Sequence, residues 1–545
     1  MRVHFRRLTA PVAMLATAAC GDPLVVGNLD NPDVERVFAL PATIEQTIGS
    51  GYQTCRNTGQ SNGGTYTQLN TMALEGYSQL NNFNMGPRAS IPRTPILNNR
   101  TTSEAFGEFS GWSRQARTEA NAIAALDRLT EGGGTLGSVG ANKRTRAFGF
   151  FVVACNLGHM ALLFDSAAVV YPGMPSDETP PLSGAQEVMT AALALMDSAI
   201  GIASVAEATA GFPTPTAWLS GPALSRDQFV RFVRSFKARF RAGVARTPSQ
   251  RTAVDWNAVL ADAENGLTAD LVVGVAGTSG WSAGWPGGTM HTDAAWHQLS
   301  MMQWGFADTS GAYNDWLKVP LLERGYFLVK TPDKRWPSGE TRIAQQAASA
   351  VPTSYTSKPY VQNRSDQDTP GAAWGTSFYN HFRYRYVRLN SNAGALFPEF
   401  LKAELDLLAA EALIRLNRIP EAAAKIDITR VPNGLEKLSG VITTATQLVP
   451  GGTHCVPRVP DVATQFTSAV CGTIMEAMKY EKRIELAFNV FAAEWFFDSR
   501  GWGDLVANTP LEYPVPQAEL DARQKPFYNL GGGGPSSAVR GTYGF

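Results

Sequence analysis

The stretch Glu476–Leu505, EAMKYEKRIELAFNVFAAEWFFDSRGWGDL, limits the choice of fold more than any other part of the chain. Ile484, Phe488, Phe491 and Trp495 recur at steps of four, three and four, which predicts that they share one face of an α-helix. Charged residues crowd its first half and aromatic residues its second. A helix so apolar at its end needs a large core to dock into. Glu481 and Glu485 stand one helical turn apart, and a carboxylate pair invites a glycosidase reading. Retaining glycosidases, however, hold their carboxyls ~5–5.5 Å apart across a cleft, usually from different elements. Two glutamates on one helix beside Lys479, Lys482 and Arg483 predict a salt-bridged face instead.

Helical periodicity recurs elsewhere. Pro398–Asn417 carries Leu401, Leu405, Leu408 and Ala412 along one stripe, and Pro420–Ile428 follows after a short turn. The run Ala410–Arg418 with that second segment has the helix–turn–helix layout of a tetratricopeptide unit. Phe106–Leu129 and Lys143–Phe164 form another such pair, split by Gly132-Gly133-Gly134. Leu182–Ser204, Asp227–Ala245 and Asp255–Asn265 continue the alternation, and Pro41–Tyr52 precedes it. The pairs are dispersed, whereas a free-standing repeat array would show a period of about 34 residues. Arg231, Arg234, Lys237, Arg239 and Arg241 on the Asp227–Ala245 segment are read as internal ion pairs or a solvated face.

The order of residues at the C-terminal end adds a resemblance. Tyr480–Phe488 (YEKRIELAF), then Trp495–Leu505 (WFFDSRGWGDL), then Tyr513–Leu520 (YPVPQAEL) resemble the closing motifs of the SusD/RagB family of outer-membrane nutrient-binding lipoproteins. Asn31-Pro32-Asp33 and Arg430–Leu435 are similar to further family stretches, while NVFAAE replaces the family's usual Glu-Gly-x-Arg segment. The resemblance implies a mainly α fold: four tetratricopeptide-like helix pairs packed against a loop-rich, aromatic-rich region. It places the scaffold mainly in residues 34–53, 104–265, 398–430 and 474–500 of a single domain spanning 21–545. It implies a cell-surface lipoprotein that binds an oligosaccharide or similar nutrient and passes it, unchanged, to a TonB-dependent (SusC-like) transporter.

The first twenty residues read as an export signal: Arg2, Arg6 and Arg7, the apolar Leu8–Ala16, then Thr17-Ala18-Ala19-Cys20. Small residues before a cysteine resemble a lipobox, which makes Cys20 the expected lipidation site and the outer membrane the expected location, facing the exterior. No later stretch has the ~18 uninterrupted apolar residues of a spanning helix. Without Met1–Ala19 the chain holds 44 basic against 47 acidic residues and no Lys/Arg block, which argues against nucleic-acid binding. Cys55, Cys155, Cys455 and Cys471 remain, and four cysteines allow three pairings. Cys455 and Cys471 flank a proline-containing loop and are the favoured pair, leaving Cys55 with Cys155. No CxxC exists, the six His are scattered, and no D-x-D-x-D-G run is present, so neither a metal nor a cofactor is implied.

Two regions are expected to hold the ligand. Thr54–Asn99 is polar and loop-like, and the resemblance makes Tyr77, Asn81, Asn82, Phe83 and Arg88 candidates there. Between Val272 and Asn390 the helical period fades, yet seven of the twelve Trp fall in it, beside many Gly and Pro. Trp281, Trp285, Trp296, Trp304, Tyr313 and Trp316 are the candidates in this segment. Sugars offer flat C–H faces to aromatic rings and hydroxyls to amide or charged partners. The rings form either an exposed platform or the loops' own small cores; Phe378–Leu389 is read as a strand or extended arm. No G-x-S-x-G, H-E-x-x-H, phosphate-loop or dinucleotide motif occurs. The rivals are an exported glycoside hydrolase and a helical adaptor binding only protein, whose Trp-rich loops would pack inward. Exposure of Trp281, Trp285 and Trp304 separates ligand binding from the adaptor.

Overall fold

The protein is described by a computed structural model covering residues 34–60, 64–78, 80, 82–99, 104–175, 177–276, 280–281, 283, 297–364, 377–390, 394–489, 494–529 and 541–545. Its principal helices are α1 (Pro41–Thr58), α2 (Thr65–Met72), α3 (Phe106–Glu131), α4 (Val139–Leu163), α5 (Ala185–Ser204) and α6 (Arg226–Gly243). They continue as α7 (Trp256–Glu264), α8 (Ala312–Lys318), α9 (Lys402–Arg415), α10 (Ile419–Arg430), α11 (Ile474–Leu486) and α12 (Glu494–Trp502).

The helix starts are written in the sequence. Ser138 caps α4 by accepting from Ala141 N–H, Ser225 and Gln228 form a capping box on α6, and Asp255 caps α7. Packing then runs along the chain: α3 on α4, α4 on α5, α5 on α6, α6 on α7, α7 on α9, α9 on α10 and α11. Helix α4 is apolar nearly all round, which suits a helix enclosed by its neighbours. By length and composition α4 and α5 could each cross a membrane, but 89% of the most apolar window of α4 is buried inside the protein. The Phe240 ring lies where a Cβ on Gly158 would stand, so α6 approaches α4 more closely than any larger residue permits.

The basic run on α6 faces inward to acids. Arg239 forks onto Glu404, Arg234 and Arg241 both reach Asp262, Lys237 reaches Asp197 and Asp262, and Arg231 donates to Gly266 O.

The expectation that Ile484, Phe488 and Trp495 lie on one face of a single helix is corrected. Helix α11 ends at Leu486, Phe488 takes a left-handed φ of 53°, and α12 begins at Glu494. Phe491 lies outside the described residues. The break serves the charges, because α11 is buried on its polar side too. Glu481 and Glu485 are not paired with Lys479, Lys482 and Arg483, as their spacing suggested. They meet Arg335 of the loop region at 2.8 and 3.0 Å. Lys482 pairs with Asp498 at 2.7 Å and Arg483 with Asp504 at 2.6 Å, both in or just beyond α12. Alternate charges of the YEKRIEL motif thus bolt α11 to the loops on one side and to the C-terminal segment on the other.

Four two-stranded antiparallel ribbons occur among the described residues. One pairs Leu271–Val275 with Ala395–Phe400, closing the neck of the long loop-rich excursion between them. Two others are Ser166–Ala168 with Leu182–Gly184, and Val361–Asn363 with Tyr379–His381. Helices expected to start at Leu182 and Pro398 therefore start later, at Ala185 and Lys402, because strand residues precede them. Phe378–Leu389 divides into the strand Tyr379–His381 and the helical turn Arg385–Leu389.

The fourth ribbon, Arg458–Pro460 with Ala469–Cys471, is closed by a disulfide between Cys455 and Cys471. The two cysteines are sixteen positions apart, and a loop of that size implies a contribution of about 3 kcal/mol. Cys455→Ser/Cys471→Ser is therefore expected to lower the urea-unfolding free energy by about that amount.

Candidate ligand site

Asp308 organises a cleft on the loop-rich side. Its fully buried carboxylate accepts from Ser310 Oγ at 2.8 Å and from the backbone N–H of Gly311, Tyr313 and Lys330 at 3.1 Å each. One side chain thereby fixes the start of α8 against the extended segment carrying Leu328 and Lys330. Between them lies an open cleft of about 720 Å³, lined by Ser310, Gly311, Ala312, Asn314, Asp315, Lys318, Leu328, Lys330 and Glu340.

Helix α8 divides its residues between two tasks. Tyr313, Trp316 and Leu317 are buried, while Ala312, Asn314, Asp315 and Lys318 line the cleft. Tyr313 stacks on Trp316 with centroids 5.6 Å apart, and Phe327 packs against both. Each polar end is satisfied inside, Tyr313 Oη donating to Met302 O and Trp316 Nε1 to Gly325 O. Burial pushes the Tyr313 phenol well above its ordinary range, so it stays neutral.

The cleft offers both signs of charge in pairs, Lys318 with Asp315 at 2.8 Å and Lys330 with Glu340 at 2.7 Å. Asn314 Oδ1 accepts from Ala469 N–H, which joins the cleft wall to the disulfide-closed ribbon and leaves the amide NH₂ as a donor. Such a wall suits a polyhydroxylated molecule, which needs donors and acceptors together. Removing the Asp308 carboxylate leaves three backbone N–H groups without that acceptor. Asp308→Ala is expected to cost about 2–3 kcal/mol in a thermal or urea melt, from lost bonds to a charged acceptor.

The four described aromatic candidates of this segment, Trp281, Trp304, Tyr313 and Trp316, are buried, so of the two alternatives they follow inward packing and not the exposed platform. Trp281 is buried beside Tyr52 with Arg56 over its ring. Trp304 is buried against Trp336 and Trp495 and donates to Glu75 O at 2.6 Å. Tyr313 and Trp316 are buried as described above. Trp281 and Trp304 dock the loop region onto α1 and α12, while Tyr313, Trp316 and Phe327 form a small core of its own. Tyr326 is the exposed aromatic among the described residues of 272–390, 53% accessible and edge-on to Phe378. It stands two residues before Leu328 of the cleft wall.

The N-terminal candidates divide as well. Tyr77 is buried and bridges to Gln298 by two backbone hydrogen bonds, which joins the two loop regions. Arg88 is buried on Glu104 and donates to Thr94 O, which is structural stitching. Asn82 is exposed and Phe83 half-buried; Phe83 and Asn84 both hold left-handed backbone, at φ 55° and 58°. Asn81, Trp285, Trp296 and Cys20 lie outside the described residues. Part of the supposed Thr54–Asn99 loop is helix α2, fully buried, with Tyr66 Oη hydrogen-bonded to His159 Nδ1 at 3.0 Å.

Among solved structures, the chain is similar to a SusD homolog from Bacteroides thetaiotaomicron, with TM-score 0.53 and 14% identity over 91% of this chain and 98% of that one. It is also similar to SusD superfamily proteins from Bacteroides vulgatus and Bacteroides fragilis. The first has TM-score 0.51 at 12% identity, covering 86% of this chain and 89% of that one. The second has TM-score 0.50 at 13% identity, covering 89% and 98%. The fold is SusD-like. No family model matches the sequence, and no curated protein matches it.

The SusD-like frame is thus kept at an identity where few side chains are shared. Asn314, Asp315, Lys318, Lys330 and Glu340 were not singled out in the sequence. The legible sign was the spacing Tyr313-x-x-Trp316-Leu317, an apolar helical stripe whose opposite side had to face something else.

Proposed function

We propose that this chain is a nutrient-binding lipoprotein of the SusD/RagB kind, holding an oligosaccharide or similar polar nutrient without chemical change. The observation that carries the reading is the polar cleft between α8 and Lys330, set on a SusD-like scaffold with Tyr326 exposed close by in sequence. Paired carboxylates and lysines, an amide and a hydroxyl match a sugar's alternating donors and acceptors, and Tyr326 supplies a ring for a C–H face. On this reading residues 1–20 direct export, Cys20 carries lipid at the outer membrane, and residues 21–545 face the exterior as one unit. The ligand then passes to a TonB-dependent (SusC-like) transporter.

A glycan array probed with the chain lacking Met1–Cys20 tests the binding step. Retention of at least one glycan class, weakened about tenfold by Lys330→Ala or Tyr326→Ala, is the expected result. Shortened glycans after incubation would favour the hydrolase. A second reading, the protein-only adaptor, is favoured by one observation: Trp281 and Trp304 pack inward. A blank array would weigh against the first reading and favour that alternative.

A further inference from the structure

The two cysteines outside the disulfide-closed ribbon meet in the core. Cys55 on α1 and Cys155 on α4 are both fully buried, with Sγ atoms 3.0 Å apart. Unbonded sulfurs do not ordinarily approach so closely, and the bonded separation is ~2.0 Å. One hundred positions separate them in sequence, and they come from two helices that pack directly on each other.

Two chemistries could use such a pair. His159 lies one turn beyond Cys155, and a donor atom from each of the three residues falls within 4.8 Å of the others. A metal fits poorly. Tetrahedral zinc with ~2.3 Å Zn–S bonds sets two thiolate sulfurs about 3.8 Å apart, so the pair would have to spread within a closed core. The His159 ring is meanwhile hydrogen-bonded to Tyr66 and stacked on Trp112 at 5.4 Å. Burial also raises the Cys55 thiol, against the thiolate that a metal requires. A covalent link needs the sulfurs to close by about 1 Å instead.

We propose that Cys55 and Cys155 form a second disulfide, tying α1 to α4 in the exported chain. Two S–H bonds break and one S–S bond forms. The two protons pass to solvent, and the two electrons reduce a disulfide oxidant (a small-molecule or protein disulfide) to two thiols. Since neither sulfur is accessible once the helices have packed, the exchange takes place before that layer closes. The ribbon disulfide shows that this chain's cysteines pair, and the proposal does not rest on any ligand.

The test is peptide mapping of the full chain, exported to an oxidising compartment and denatured in an alkylating agent without reductant. The Cys455–Cys471 link serves as the internal control that oxidation was allowed. The expected result is that the Cys55 and Cys155 peptides elute as one species, separated by reductant. With the control link intact, separate alkylated Cys55 and Cys155 peptides overturn the proposal. So does alkylation that appears only after a chelator, which would reveal a metal. A second measurement avoids variants at the buried site. In the Cys455→Ser/Cys471→Ser chain, refolding with reductant should lower Tm by roughly 4–5 °C, the effect of a loop near 100 residues in a protein of this size. An unchanged Tm also overturns it.

Discussion

Arg335→Ala is expected to lower the unfolding free energy by about 3–5 kcal/mol, the cost of removing one partner from a buried ion pair. Arg335 is fully buried and its guanidinium is shared. It donates to Asp333 through Nε and Nη2, to Glu481 through both Nη atoms, and to Glu485 through Nη1. Truncation strands carboxylates from two elements in the same desolvated space. Arg430 and Arg383 stand 3.7 and 3.6 Å from Glu481 and Glu485 and relieve only part of that charge. Arg335→Lys keeps the charge but loses the planar fork, so it should fall between wild type and alanine. Urea midpoints measure the series, with Arg418→Ala as the control. That arginine forks onto Glu421 on an exposed surface and should change little. Equal midpoints for Arg335→Ala and Arg418→Ala would refute the claim that this cluster ties the helices to the loops.

Glu494→Gln should alter how stability depends on pH. Burial, reinforced by Glu404, pushes the Glu494 carboxyl up to about 8. Arg239 lies 3.4 Å away and opposes this, but its guanidinium is already forked onto Glu404. Asp498 adds to the rise and Lys482 opposes it. In the unfolded chain the group returns to about 4.3, so between the two values the folded state holds a proton that the unfolded state releases. The stabilising contribution is therefore complete below about pH 4.3 and is lost as pH rises through about 8. At full size the loss is at most about 5 kcal/mol. Glutamine stays neutral throughout, so the variant should match wild type below about pH 4.3, gain on it progressively up to about pH 8, and keep the full advantage above that. Glu75 and Glu119 are also held above their ordinary range by burial and leave a residual slope. A slope in Glu494→Gln equal to that of wild type would sink the assignment.

The scaffold was legible because helices announce themselves locally. The Gly132–Gly134 break, the Leu401–Leu405–Leu408 stripe and the helix start at Asp255 each depend on a few neighbouring residues. The closing motifs carried the family resemblance, and the likeness in structure is to SusD-like folds. What their spacing could not show was the identity of ionic partners. Glu481 finds Arg335 across 146 positions, while three basic residues sit within two steps of it. The break after Leu486 was hidden for a similar reason, since Phe488 keeps the helical period while its backbone turns left-handed to donate to Glu75 Oε1. At the site, a tryptophan beside glycine reads the same whether its ring faces water or fills a gap between loops. Trp281 and Trp304 pack against scaffold helices, whereas the cleft residues Asn314 and Lys330 belong to types too common on surfaces to stand out.

The early and late parts of the chain are sewn together by backbone and side-chain hydrogen bonds. Tyr513 exchanges hydrogen bonds with Leu163 and Asp165, its hydroxyl donates to Gln68, and Asn98 clasps Val515, Gln517 and Tyr528. Loop-closure entropy makes contacts over such separations slow to form. During synthesis the first helical layers must therefore wait, with Gln68 and Asn98 unanswered, until the segment near Tyr513 emerges. A chain cut short before Tyr513 therefore lacks the partners that close its first helical layers.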